Sequence, residues 1–240
     1  MSTSKDSSTK VSLSILAAGL FIALAVMYTG GGLTASKQLT KAPVNQVNPN
    51  PAQAAEPTLA PGGGQVALEG EPSIGNKDTK VTLVEFVDYQ CPFCKKFADE
   101  TFGQIKTEYV DTGKIQLVFK DLPLDFHPQA LPAAAAANCA DDQGKYLEMH
   151  NKIFVGQQSW AGNAGADGIF AGYAKELGLD LGQFNGCIAS GKYDAEIQAD
   201  IAEAAQVGVR GTPSFLINGE LLVGAQPFAN FKQAIDKLLQ

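Results

Sequence analysis

The stretch VDYQCPFCKKF, residues 87–97, decides the fold. Ahead of it, VTLVEFVDY from Val81 is short, apolar and β-branched, the pattern of a buried strand. Behind it, Phe97, Phe102, Ile105 and Tyr109 recur near helical spacing. Cys91-Pro92-Phe93-Cys94 therefore sits where a buried strand ends and a helix begins. Cys91 falls at the helix start, where unpaired backbone N–H groups and the macrodipole favour negative charge and lower a thiol pKa. Pro92 suits the first helical position, because no intrahelical N–H bond is lost there. Cys94 lies three residues on, so both sulfurs share one helix face and can form a disulfide with little backbone movement.

Two other readings of the pair carry less weight. A structural zinc site wants four ligands at set spacing. The remaining candidates, Cys139, Cys187, His127 and His150, are isolated, and no second cysteine pair exists, so no metal is expected. An inert staple is a poor use of a bridge that closes two residues. In a redox centre, a substrate thiolate attacks the Cys91 sulfur and Cys94 is the leaving thiol. The substrate's second thiol then releases a Cys91 thiolate.

Working outward, KIQLVFKDL reads as a second strand, and Gly113 ends the helix before it. Helical character follows over residues 128–139, 145–154, 167–177, 181–190 and 195–206. Two short strands come next, Ser214–Ile217 and Leu221–Val223, joined by Asn218-Gly219, a strong hairpin signal. A last amphipathic helix, about 227–239, puts Phe228, Phe231, Ile235 and Leu238 on one face. The order βαβ, helical block, ββα implies a three-layer α/β fold with a central sheet of about four strands.

The N-terminus differs in kind. Val11–Tyr28 is an uncharged apolar run, close to the roughly 20 residues that span a bilayer as a helix. It reads as an uncleaved transmembrane anchor in preference to a signal peptide cleaved near Gly30-Gly31-Gly32. Residues 1–35 are thus a cytoplasmic stub and anchor held in the lipid bilayer by residues 11–28. Residues 36–72, rich in Pro, Gly and Ala, form a flexible tether. Residues 73–240 are the domain, with a helical insertion at about 125–206. A single N-terminal span before a large domain places that domain on the extracytoplasmic face.

Of the 240 residues, 45% are hydrophobic and 18% charged, with a net charge of −7. From Ser73 onward, 14 Lys+Arg face 21 Asp+Glu, so the domain carries the whole excess. Such a surface repels phosphate and argues against nucleic acid as a partner.

Two blocks, VTLVEFVDYQCPFCKKF and VRGTPSFLINGELLVGAQP, in this order and spacing, resemble the DsbA-like branch of thiol–disulfide oxidoreductases over roughly residues 72–240. The resemblance implies a thioredoxin-like fold interrupted by a helical insertion, with Cys91 and Cys94 catalytic and no cofactor. It implies a cis Thr212–Pro213 bond facing the cysteine pair. Pro213 joins the catalytic set, and Thr212, with Pro92 and Phe93, contacts substrate. Glu85 matches a buried acid thought to move protons to the inner cysteine, and Lys120 on the next strand is its possible partner or a plain surface lysine. Cys139 and Cys187 match cysteines that pair as a structural disulfide in some members. Exported proteins with free cysteines are the implied substrates, and a quinone-linked membrane oxidase the implied recycling partner.

One departure matters: the strongest oxidants of the family hold a histidine between the cysteines, and here Pro92-Phe93 offers no cation. A reductase or isomerase kept reduced from across the membrane, or a tethered binding module without turnover, stands as the alternative. Elsewhere, His127 and His150 read as packing histidines, Trp160 as a surface or groove aromatic, and Lys95 and Lys96 as a solvated helix face.

Overall fold

The computed structural model describes residues 62–240. Ser73–Gly75 forms β1, Val81–Val87 β2 and Ile115–Asp121 β3; Ser214–Ile217 forms β4 and Glu220–Val223 β5. They make one sheet in the order β1-β3-β2-β4-β5. β2 and β3 are parallel, and the other pairs are antiparallel. The sheet has five strands where the sequence pattern indicates about four. The extra one, β1, is three residues long and carries one apolar side chain, too little for a period to register. β2 and β3 are buried almost throughout, as strands covered on both faces must be.

The helix after the dithiol starts as α1, Pro92–Phe97, and continues through a π turn at Ala98–Phe102, α2 at Gly103–Ile105 and a second π turn at Lys106–Val110. On the same sheet face, Phe97 packs against Phe215 of β4 and against Phe231, with ring centroids 4.6 and 5.5 Å apart. The insertion comprises α3 (Ala130–Asp141), α4 (Tyr146–Val155), the short α5 (Gln157–Trp160), α6 (Ala166–Glu176) and α7 (Leu181–Ser190). α8 (Asp194–Gln206) returns to the opposite face, where Ala204 and Val207 meet Val84, Phe86 and Leu216. α9 (Phe228–Leu239) carries Phe231 and closes the chain. At the hairpin, Asn218 and Gly219 adopt φ of 49° and 89°, the backbone an Asn-Gly turn between two strands supplies.

Two sequence expectations change. Trp160 is fully buried, donates its indole N–H to the Ile153 carbonyl at 2.8 Å and packs edge-on against Phe170. It is a core residue of the insertion, not a surface aromatic; its Gly-rich surroundings hid that. Lys120 is neither on the surface nor beside Glu85. In the β2–β3 register it sits opposite Phe86, while Glu85 sits opposite Phe119. Adjacent residues of a strand point to opposite faces, so the two charges lie on different sides of the sheet. Lys120 instead meets Glu71 at 2.6 Å, Asp200 at 2.7 Å and Glu203 at 2.9 Å. This cluster pins residues 62–72, which lie in the stretch read as a tether, against the sheet. Gly63 and Gly64 N–H groups also bond the Val207 and Gly219 carbonyls.

Among the described residues, no helix is long and apolar enough to cross a membrane. The anchor expected at Val11–Tyr28 lies outside them.

Removing one partner of a buried ion cluster strands the others without compensation. Lys120→Ala should therefore lower unfolding stability by roughly 3–5 kcal/mol in a urea titration. Lys96→Ala, which breaks only an exposed pair with Glu100, should change it by no more than about 0.5 kcal/mol. Equal effects would contradict the buried pairing.

Candidate active site: a dithiol at a strand-to-helix junction

β2 ends at Val87, and the turn Asp88–Gln90 delivers Cys91 to the N-cap of α1 in extended conformation, with Pro92 as the first helical residue. Cys91 and Cys94 are both unbridged and buried, Cys94 completely. The Thr212–Pro213 peptide is cis, and the Cys91 thiol donates to the Thr212 carbonyl at 3.4 Å. Thus Cys91 and Thr212, 121 positions apart in sequence, meet at one end of the sheet, with Cys94 and Pro213 beside them. Phe93 is 62% exposed between the cysteines.

The two sulfurs have opposite acid–base characters. Cys91 is lowered from 9.0 to about 6. The hydrogen bond from Cys94 is the largest cause, and burial opposes it. The Thr212 side chain and the Cys94 and Phe93 backbone N–H groups add to the lowering. The Thr212 hydroxyl is buried with no other partner, so it is free to turn to the thiolate. Helix-terminal N–H groups, the cause expected from sequence, are the smaller part. Burial drives Cys94 the other way, well above its usual value; the Cys91 hydrogen bond and the charges of Cys91 and Glu85 add to it.

Glu85 is 1% exposed, and its Oε2 has no hydrogen-bond partner. Burial raises it from 4.5 to about 8. Nearby, the Tyr89 hydroxyl lies 3.1 Å from both the Tyr146 hydroxyl and His150 Nδ1. Burial lowers His150 to about 3, so it stays neutral in this aromatic cluster, the packing role its helical spacing indicated. Cys139 of α3 and Cys187 of α7 are joined, with Cα atoms 5.8 Å apart, and close a 48-residue separation. A loop of that length corresponds to about 4 kcal/mol in the chain-entropy account.

Two functional-site neighbours have no sequence signal of their own. Asp88, with its side chain fully buried, accepts from the N–H groups of Gln90 (2.7 Å), Cys91 (3.1 Å) and Leu124 (2.9 Å), and from His127 Nδ1 (2.7 Å). Gln157 donates to the Tyr89 and Cys91 carbonyls at 2.7 and 3.2 Å. Leu124 and His127, and both partners of Gln157, lie 36 to 68 residues away, beyond any local pattern. Phe126, packed against His127, and Val155, two residues before Gln157, are 73% and 78% exposed. Among the described residues, no group of His, Cys, Asp and Glu is arranged to hold a metal ion.

Sheet order, insertion and dithiol together define a thioredoxin-fold protein with a CxxC centre. The family model described as Thioredoxin matches residues 67–237. The chain is 31% identical over 178 residues to a probable disulfide bond formation protein D of Bacillus anthracis, covering 72% of this chain and 81% of that one. The crystal structure of Wolbachia pipientis alpha-DsbA1 superposes with a TM-score of 0.66 at 26% identity, covering 72% and 93% of the two chains. The chain is also 36% identical over 146 residues to the Na(+)/H(+) antiporter NhaA 1 of Salinispora arenicola, but spans only 21% of its length, against 60% of this chain. It likewise spans under two thirds of related Rickettsia proteins. The chain belongs to the thioredoxin family, in its DsbA-like thiol–disulfide oxidoreductase branch.

Two measurements check this site. In the reduced protein, thiolate absorbance at 240 nm should rise with a midpoint near pH 6 for Cys91. Iodoacetamide at pH 7 should label Cys91 and spare Cys94. A single midpoint near 9 would contradict the asymmetry. Glu85 gives a stability signature. Its folded pKa of about 8 exceeds its ordinary 4.5, so the folded chain binds this proton more tightly. The associated stability is full below pH 4.5 and is lost as pH rises through 8. Glu85→Gln should therefore match wild type near pH 4.5 and exceed it at pH 8.5 by a few kcal/mol, on the order of 3.

Proposed function

We propose that this chain is a membrane-anchored, extracytoplasmic thiol–disulfide oxidoreductase that introduces disulfides into exported proteins through Cys91 and Cys94. The observation that carries the reading is the asymmetry of the pair. A low-pKa outer thiol is a good leaving group, and a buried, high-pKa inner thiol is poorly reached by substrate.

The exchange runs as follows. In the oxidised pair, a substrate thiolate attacks the Cys91 sulfur, the Cys91–Cys94 bond breaks, and Cys94 leaves with the bond electrons. Buried Cys94 needs a proton, and Glu85, protonated up to about pH 8, is a donor on the same side. The substrate's second thiolate then attacks its own sulfur in the mixed disulfide and expels the Cys91 thiolate. The substrate loses two electrons and the protein gains them, so a membrane redox partner must take them away. Pro213 and Thr212 flank the nucleophile, and Thr212 offers its carbonyl to an extended substrate segment once the Cys91 thiol no longer donates to it. Phe93 beside Pro92, Phe126 and Val155 supply apolar contact for chains that have not yet buried their own apolar residues.

A membrane-side reductase or isomerase is the second reading, favoured by the absence of a cation in Pro92-Phe93. The two directions part in a turnover assay. Oxidised protein, incubated with a reduced, unfolded protein containing one cysteine pair, should form the substrate disulfide stoichiometrically. Cys91→Ser should abolish it, and Cys94→Ala, activated as a mixed disulfide, should stall with substrate attached when the substrate keeps only one of its two cysteines. Net reduction of the oxidised substrate by the dithiol form, with no oxidation by the disulfide form, would overturn the proposed direction. A Cys91→Ser protein that retains its effect would favour the binding module.

A further inference from the structure

We propose that Asp88 is a positioning residue for Cys91 and that His127 is its counter-group, an imidazole supplied by a neighbouring loop to a dithiol whose own dipeptide has none. The inference rests on the dithiol being the reactive centre and adds two residues to it.

One carboxylate accepts four hydrogen bonds here. Asp88 Oδ1 accepts from the Gln90 and Cys91 N–H groups. That fixes the backbone of the nucleophile at the helix N-cap, where no side chain caps α1 directly. Oδ2 accepts from the Leu124 N–H and contacts His127 Nδ1. A carboxylate only accepts, so Nδ1 carries the proton and Nε2 is the nitrogen left for other partners. The side chain of Asp88 is 0% exposed and that of His127 15%, which puts the ring at the rim, with the carboxylate beneath it. Its loop is fixed independently: the Gln129 N–H donates to Gln90 Oε1 at 2.8 Å, the His127 N–H to the Leu124 carbonyl at 2.8 Å, and Phe126 packs edge-on against the ring at 4.4 Å.

A buried carboxylate hydrogen-bonded to the backbone N–H of a nucleophile is more than a clamp. Its charge opposes a thiolate on Cys91, and the His127 Nδ1–H on its other oxygen draws that charge away from the sulfur. Low local dielectric makes both effects large at this range. The pair therefore sets how far the Cys91 thiolate, and with it the dithiol form, is stabilised. The two members pull in opposite directions, which a purely structural role cannot produce.

The test uses the full chain with Asp88→Asn and His127→Asn, each compared with wild type at pH 7. Asparagine at 88 keeps an acceptor for Cys91 without charge, and asparagine at 127 keeps a donor for Asp88 without the imidazole. Cys91 titration is read at 240 nm, and the Cys91–Cys94 equilibrium is read against glutathione. Asp88→Asn should favour the dithiol form by about 3- to 10-fold and His127→Asn should disfavour it, with Cys91 pKa moving down and up respectively. Unchanged values in both, or shifts of the same sign, would overturn the proposal while leaving the dithiol reading intact. Should Asp88→Asn fail to fold, His127→Asn decides alone: an unchanged equilibrium overturns the counter-group. Loss of all exchange in wild type would instead sink the underlying function.

Discussion

The acid–base asymmetry of the two cysteine sulfurs, set at the point where a buried strand becomes a helix, is the constraint on which the rest depends. It requires one sulfur at the N-cap and the other a turn further in, within the core. The N-cap sulfur faces Cys94, Thr212 and the helix N–H groups, and is the stabilised thiolate. The inner sulfur is wholly buried, and burial makes it hold its proton. Two identical side chains, three residues apart, thus acquire roles that differ by chemistry. The strand ends at Val87, the turn is short, and α1 starts on Pro92, whose missing N–H costs no helix bond there. Phe97, packed on Phe215 and Phe231, keeps the helix seated on the sheet and so holds the geometry.

Charge is arranged around this centre by sheet face. Glu85, on the cysteine side, has no cation of its own, and burial alone keeps it protonated near neutral pH. The lysine that the sequence offered it points through the other face into three carboxylates. One cluster therefore serves stability, holding residues 62–72 and α8 to the sheet, while the solitary acid remains available for proton movement. Burial raises Glu71 of that cluster to about 7 and Asp121, at the end of β3, to about 8. More acids in this domain hold protons near neutrality than its net charge implies.

Much of this was legible in VDYQCPFCKKF and its surroundings, because the signals are local. A β-branched run, a proline one place after a cysteine, and an Asn-Gly between two apolar pairs each fix their own backbone. α7 and β4 fall on the expected residues, α3, α4, α6 and α8 shift by one or two, and the four-residue α5 is too short to carry a periodic signal. What escaped is set by distant partners. β1 exists only because β3 offers an edge. Trp160 is buried by Phe170 and Ile153, not by its glycine neighbours. Lys120 looks like any strand lysine until the register turns it away from Glu85. Asp88 reads as a strand-end polar residue, yet it ties the Cys91 backbone to a loop 36 residues on.

The central claim is that the pair donates its disulfide, and the reduction potential of Cys91–Cys94 tests it most directly. Residues 62–240 with Cys139→Ala and Cys187→Ala, equilibrated with glutathione, isolate the active pair. A value on the oxidising side, toward about −120 mV, is expected, as a stabilised dithiol form requires. A value near about −270 mV would contradict it and assign the chain to reduction.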